Sequence, residues 1–169
     1  TQIGREGREQ TRSIHRNESS TKTTLRFYLE RGDDVVDAPS IGPRMAERLN
    51  KIGVVTVDDL LNADAADIAE SLNHRRIETD TVIQWQQQTT LVCRVPMLRG
   101  HDAQFLVAAG VTTAEDLAKC EAAELFELVD AVAQSTEGKR IARGGALPDL
   151  VEVSQWIECA TQHRPLRAA

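Results

Sequence analysis

Ala38-Pro39-Ser40-Ile41-Gly42-Pro43-Arg44-Met45-Ala46 is the stretch on which the reading of the fold turns. Two prolines and a glycine within five positions break a short helix that Asp33 is expected to cap and that runs to Asp37. Pro43 suits the first turn of a new helix, because the N–H it lacks would have no partner there. Gly42 is expected to take positive φ and to let another backbone come close. Ile41 reads as a plug between the two helices, and Ala46 as the small residue that lets them cross. The N–H groups of such a turn then point outward beside a helix N-terminus, which favours an anion. Arg44, on the first turn, adds a charge-assisted donor.

Helical signals continue outward from this turn. The helix opened by Pro43 places Met45, Leu49 and Ile52 on one face, and Gly53 ends it as a left-handed cap. Thr56 caps a helix over 57–61, and Asp64 caps one carrying Ile68 and Leu72. A longer helix starts at Thr79 and passes through Val82, Trp85 and Thr89 to Cys93. The pattern then recurs. With Ile41 set on Leu98, Gly53 falls on Gly110, Ala46 on Ala103, and Thr56-Val57-Asp58-Asp59-Leu60 on Thr113-Ala114-Glu115-Asp116-Leu117. Later, Val82-Ile83-Gln84-Trp85 falls on Val153-Ser154-Gln155-Trp156, so the second copy carries an insertion near 135–148. Such self-similarity predicts a tandem duplication. The expected fold is all-α: two units sharing one core, over 25–93 and 94–162, after a flexible polar segment at 1–24 whose composition gives it little to bury. Leu25, Phe27, Tyr28 and Leu29 form the first apolar cluster and should pack onto the domain.

Composition limits the function classes. The formal charge of −6 argues against a strongly basic nucleic-acid binder. Residues 1–31 hold seven Arg/Lys and four Asp/Glu, whereas the remainder holds 13 and 22, so any contact with nucleic acid must be a local patch. Cys93, Cys120 and Cys159 are odd in number, far apart and without zinc spacing, and read as buried free thiols in a reducing cytoplasm. No run is long and apolar enough for a membrane span. The chain opens on Thr1 rather than Met, as a piece of a longer protein would.

Other candidate residues have plainer readings. Arg75, Arg76, Lys139, Arg140 and Arg143 could line a phosphate track or could be solvated charges, with 139–145 read as an accessible basic loop. Trp85 and Trp156, like Phe105, Leu106 and the stretch 125–128, read as core. His101 and Asp102 are neighbours on a helix and are expected not to face each other, so no acid–base pair is read there. No Walker loop, dinucleotide fingerprint or metal-ligand spacing occurs, so no cofactor, metal or small-molecule substrate is expected and the chain reads as non-enzymatic.

The stretch Pro39-Ser40-Ile41-Gly42 with Ala46 resembles the helix-hairpin-helix core, in which Ser40 stands where the family has its first glycine. In the second unit, Pro96-Met97-Leu98-Arg99-Gly100-His101-Asp102-Ala103 lacks both hairpin glycines, with Gly100 one position late. That hairpin is expected to keep the packing role of Leu98 and Ala103 and to have lost or changed the phosphate role. More widely, Ile41-Gly42-Pro43, 49–53, Thr56-Val57-Asp58-Asp59-Leu60, Gly110-Val111-Thr112 and Val153-x-x-Trp156-Ile157 make residues 37–162 similar to the bacterial family called domain of unknown function 4332. That resemblance implies a compact tandem helix-hairpin-helix fold and no particular activity. The expectation is a weak, non-sequence-specific DNA-binding module acting through Ser40, Ile41, Gly42 and Arg44, assisted by Arg48 and Lys51. The alternative is a protein-interaction or scaffolding domain, which the acidic body favours.

Overall fold

The computed structural model describes residues 25–166. The expected flexible segment at 1–24 lies outside the described residues. Among the described residues a 3-10 turn, Val35–Asp37, precedes nine helices: α1 Pro43–Lys51, α2 Val57–Asn62, α3 Ala65–Leu72, α4 Thr79–Arg94, α5 Gly100–Ala108, α6 Ala114–Lys119, α7 Ala122–Gln134, α8 Thr136–Ala142 and α9 Leu150–Ala160. The described residues form no strand; one isolated antiparallel bridge joins Asp34 and Thr56. The fold is all-α.

Local chemistry sets most helix boundaries. Thr56 accepts from the Asp59 N–H at 3.1 Å and the Asp59 carboxylate accepts from the Thr56 N–H at 3.1 Å, a complete capping box at the start of α2. Asp64, Thr113, Glu121 and Asp149 cap α3, α6, α7 and α9 in the same sense. Asp33 does not cap the helix expected of it. Its carboxylate accepts from the Glu30 N–H at 2.8 Å, Asp34 occupies the N-cap position, and three residues allow only a 3-10 turn.

One apolar core runs from Leu29 to Ala160. Positions 57 residues apart are buried together: Ile41 with Leu98, Leu49 with Leu106, Leu60 with Leu117, and Ile68 with Leu125. The tryptophans, 71 apart, are 5% and 6% exposed, so both belong to the core and neither is a stacking platform. Each fully buried Leu contributes roughly 1.5–3 kcal/mol. Backbone conformations match as well: Gly53 and Gly110 end α1 and α5 at φ 92° and 94°. Helix α4 packs on α2, α3 and α5, and α9 packs on α6 and α7.

Three expectations need correction here. Leu125, Val129 and Ala133 form the buried row of α7, while Leu128 falls beyond its edge and is exposed. Cys93 is fully buried, but Cys120 and Cys159 are only half-buried. The region read as a basic loop is helical up to Ala142, as α8. Gly138 makes that helix possible, because a Cβ there would collide with the backbone of Val132 and Ala133 in α7.

The apolar segment at 25–29 does pack, chiefly through Leu29, although Leu25 remains exposed. It reaches both halves of the chain. The Met97 N–H donates to the Arg26 carbonyl at 2.7 Å, and the Asp58 N–H donates to the Arg31 carbonyl at 2.9 Å. Arg164 fastens this segment to the end of α4. Its Nε donates to the Cys93 carbonyl at 2.8 Å, its Nη2 to Glu30 at 2.9 Å, and its guanidinium lies 3.7 Å from the centre of the Phe27 ring.

Candidate nucleic-acid interface

The loop before α1 owes its shape to Ser40 rather than Gly42. Ser40 carries the left-handed backbone, at φ 68°. Gly42 is the N-cap residue in extended conformation, φ −87° and ψ 176°, and Pro43 follows at the first helical position. No side chain caps α1, so the N–H groups of its first turn, including that of exposed Arg44, remain without an intrahelical partner.

The six residues expected at this site divide into two groups. Gly42, Arg44, Arg48 and Lys51 are exposed, and the three cations at spacings of four and three form one row along α1. The row borders two shallow grooves that meet at Arg48: Gly42, Arg44 and His74 line one, and Lys51, Ser71 and Leu72 line the other. Among the described residues, none of the three cations is paired with a carboxylate. Ser40 and Ile41 face elsewhere. Ile41 is buried, 5% exposed, and serves packing. The Ser40 hydroxyl donates to Gln88 Oε1 at 2.6 Å and accepts from Gln104 Nε2 at 2.8 Å, which fixes the loop to α4 and α5.

The loop before α5 repeats this geometry without the glycines. Met97, the counterpart of Ser40, has φ 65°, and Arg99, the counterpart of Gly42, has φ −97° and ψ 167°. Absence of glycine therefore does not distinguish the two loops. The difference lies at the third helical position, where α1 has Met45 and α5 has Asp102. The Asp102 carboxylate accepts from the Arg99 N–H at 3.0 Å and fills the place an external anion would take. The second loop is also tied to the segment before the fold: the Met97 N–H is bonded to Arg26, and the Tyr28 ring lies 5.0 Å from the guanidinium of both Arg26 and Arg99, although the Met97 and Arg99 side chains stay exposed. The cationic row is gone as well, with His101, buried Phe105 and Ala108 in place of Arg44, Arg48 and Lys51.

His101 and Asp102 do meet, with Nε2 3.2 Å from Oδ1. Helix geometry alone keeps adjacent residues apart, but here the carboxylate turns back to cap its own helix start and the imidazole reaches it. Burial pushes the Asp102 carboxyl above its ordinary range, opposed by the Arg99 N–H, His101 and the Trp156 side chain. Sequence reasoning missed this cap; the Arg99-x-x-Asp102 spacing, an acid three residues after a helix boundary, carried the signal.

The second basic region is partly assembled by tertiary structure. Arg76, Arg140 and Arg143 line one groove together with Ser40, Gln84 and Gln104. Arg75 and Lys139 are exposed but do not line it. Among the described residues no cluster of His, Cys, Asp or Glu could hold a metal ion, and no helix is long and apolar enough to cross a membrane.

Residues 39–163 match the family described as domain of unknown function (DUF4332). No curated protein and no solved structure matches the chain.

Proposed function

Because the chain belongs to the family described as domain of unknown function (DUF4332), whose description carries no activity, we propose its function from the first loop: a non-enzymatic module that holds DNA weakly by its phosphate backbone, without sequence preference. The observation that carries this reading is the row Arg44, Arg48 and Lys51, exposed and without a carboxylate partner among the described residues, running from an uncapped helix N-terminus. The loop and α1 act as one helix-hairpin-helix unit, and the matching burial and φ angles 57 positions on support a duplicated second unit turned to packing. No base-reading side chain is needed for such binding, since phosphate contacts position without specifying sequence. The module would work in the cytoplasm, where its three free thiols stay reduced.

Titration of labelled duplex and branched DNA across a salt series tests this. A few phosphate contacts predict a dissociation constant on the order of 10⁻⁴ to 10⁻⁶ M that weakens as salt rises. Arg44→Glu should lower affinity and leave the thermal melt unchanged; absence of binding by wild type at low salt sinks the reading. The formal charge of −6 favours a second reading, a scaffolding domain for a protein partner. A partner recovered by pull-down after nuclease treatment would support it.

A further inference from the structure

The second basic groove has no role in the α1 contact just proposed. It encloses about 480 Å³ between α4, α5 and α8 and lies beside the first loop. Its three arginines come from three places: Arg76 from the connection before α4, Arg140 from α8, and Arg143 from the residue that ends α8. Among its described lining residues one acid occurs, Glu137, and it is paired with Arg140 at 2.6 Å. Three cations around one groove are unexpected on a chain with six more acids than bases. The Ser40 hydroxyl ties Gln88 to Gln104 along its wall. Exposed Gln84 adds a neutral carboxamide at the rim.

Met45 lines both this groove and the one that contains Arg44 and Arg48. The two basic sets are therefore neighbours on one continuous surface, with the first loop between them. A polymer with a negative charge on every unit can engage both sets at once, whereas a small anion can satisfy only one. Arg143 has a left-handed backbone, φ 49°, in a position followed directly by Gly144 and Gly145. A guanidinium thus stands where glycine would be the easier residue.

We propose that the groove lined by Arg76, Arg140 and Arg143 takes a second stretch of phosphodiester backbone from the same nucleic acid that α1 holds. This rests on the DNA reading above and extends its contact across the first loop. Only α5 and α8, from the second half of the chain, complete the surface, which gives the insertion at 135–148 a binding role.

The test measures fluorescence anisotropy of a labelled DNA duplex with the full chain, from low to physiological salt. Each phosphate contact contributes close to one unit to the slope of log K against log salt. Arg76→Ala combined with Arg143→Gly should reduce that slope by about two; Arg143→Gly retains a residue at ease in left-handed backbone. Arg140→Gln, on the exposed face of α8, should reduce it by about one and serves if the double variant melts early. Lys119→Ala, on α6 and lining neither groove, should change nothing. An unchanged slope in these arginine variants, with binding still lost in Arg44→Glu, overturns the groove and leaves the α1 contact standing. Displacement of the DNA by poly-glutamate as readily as by unlabelled DNA also overturns it, in favour of an acidic polypeptide. No binding at low salt removes both.

Discussion

Met45 and Asp102 occupy the third position of two helices that begin from loops of the same backbone shape, and only Asp102 bonds back to the residue before its helix. The first helix start is thereby left open and the second is closed from within. Met45→Asp should import that closure: the new carboxylate would reach the Gly42 N–H and repel phosphate beside Arg44. DNA affinity should fall at least tenfold while the chain stays folded, since favourable placement at a helix N-terminus, about 0.3–1 kcal/mol, offsets part of the lost packing. Wild-type affinity in this variant would show that the open helix start does not matter.

Asp102 also predicts a pH dependence. Its folded-state pKa is raised, mainly by burial, so the folded chain holds the proton more tightly than the unfolded chain. That contribution is complete below the ordinary Asp range, about 3.9, and is lost as pH rises through the folded value. The stability of wild type relative to Asp102→Asn should decline from pH 4 upward. Urea melts of both proteins at several pH values measure this, and a constant difference would contradict it.

Ser40 and Met97 share left-handed backbone but differ in what their side chains hold. Ser40→Ala leaves Gln88, itself 7% exposed, without its partner and should destabilise by about 1–3 kcal/mol. At position 97 the informative comparison is glycine against alanine. Met97→Gly should be more stable than Met97→Ala by about 1 kcal/mol, because only alanine keeps the left-handed strain. Chemical denaturation of the three variants decides both points.

Gly138→Ala should detach or destabilise α8, by roughly 1–3 kcal/mol, because the new methyl meets α7 backbone that cannot rotate away. The same change should reduce the salt slope of DNA binding by shifting Arg140 and Arg143 together. Retention of both stability and slope would mean that α8 docks differently.

Cys93 should be silent toward thiol reagents in the native protein. Burial pushes its thiol up to about 12, and its side chain is fully enclosed. Labelling at pH 8 with mass detection should find modification at Cys120 or Cys159 first, and at Cys93 only after denaturant is added.

Much of the helical frame was legible because its signals are local. A cap such as Thr56 or Asp64 acts on an N–H three residues away, and the row Leu49, Leu60, Ile68 repeats at the spacing of its counterparts Leu106, Leu117 and Leu125. The row Arg44, Arg48, Lys51 was legible for the same reason. What escaped depends on contacts between distant positions. Ser40 meets Gln88 and Gln104 across 48 and 64 residues, and no property of a lone serine announces a left-handed backbone. Glycine at 42 suggested positive φ, but the left-handed residue is Ser40, two positions earlier, and Gly42 itself is extended. The stretch 139–145 read as a loop, whereas the missing side chain of Gly138 just before it is what lets two helices touch. The gathering of Arg76 with Arg140 and Arg143 is likewise tertiary.

Arg164 binds the incoming segment at Leu29 and Glu30 and the end of α4 at Cys93, so the described chain arrives and departs at one corner. Tension applied to both flanks would converge on that corner and load the clasp before the helix packing. Its few hydrogen bonds and one stacked ring would peel in sequence, and the core beyond would feel little force until Arg164 had let go. The fold would then behave as a bead held by its neck, and the proposed DNA contact through α1, α5 and α8 would be spared that force.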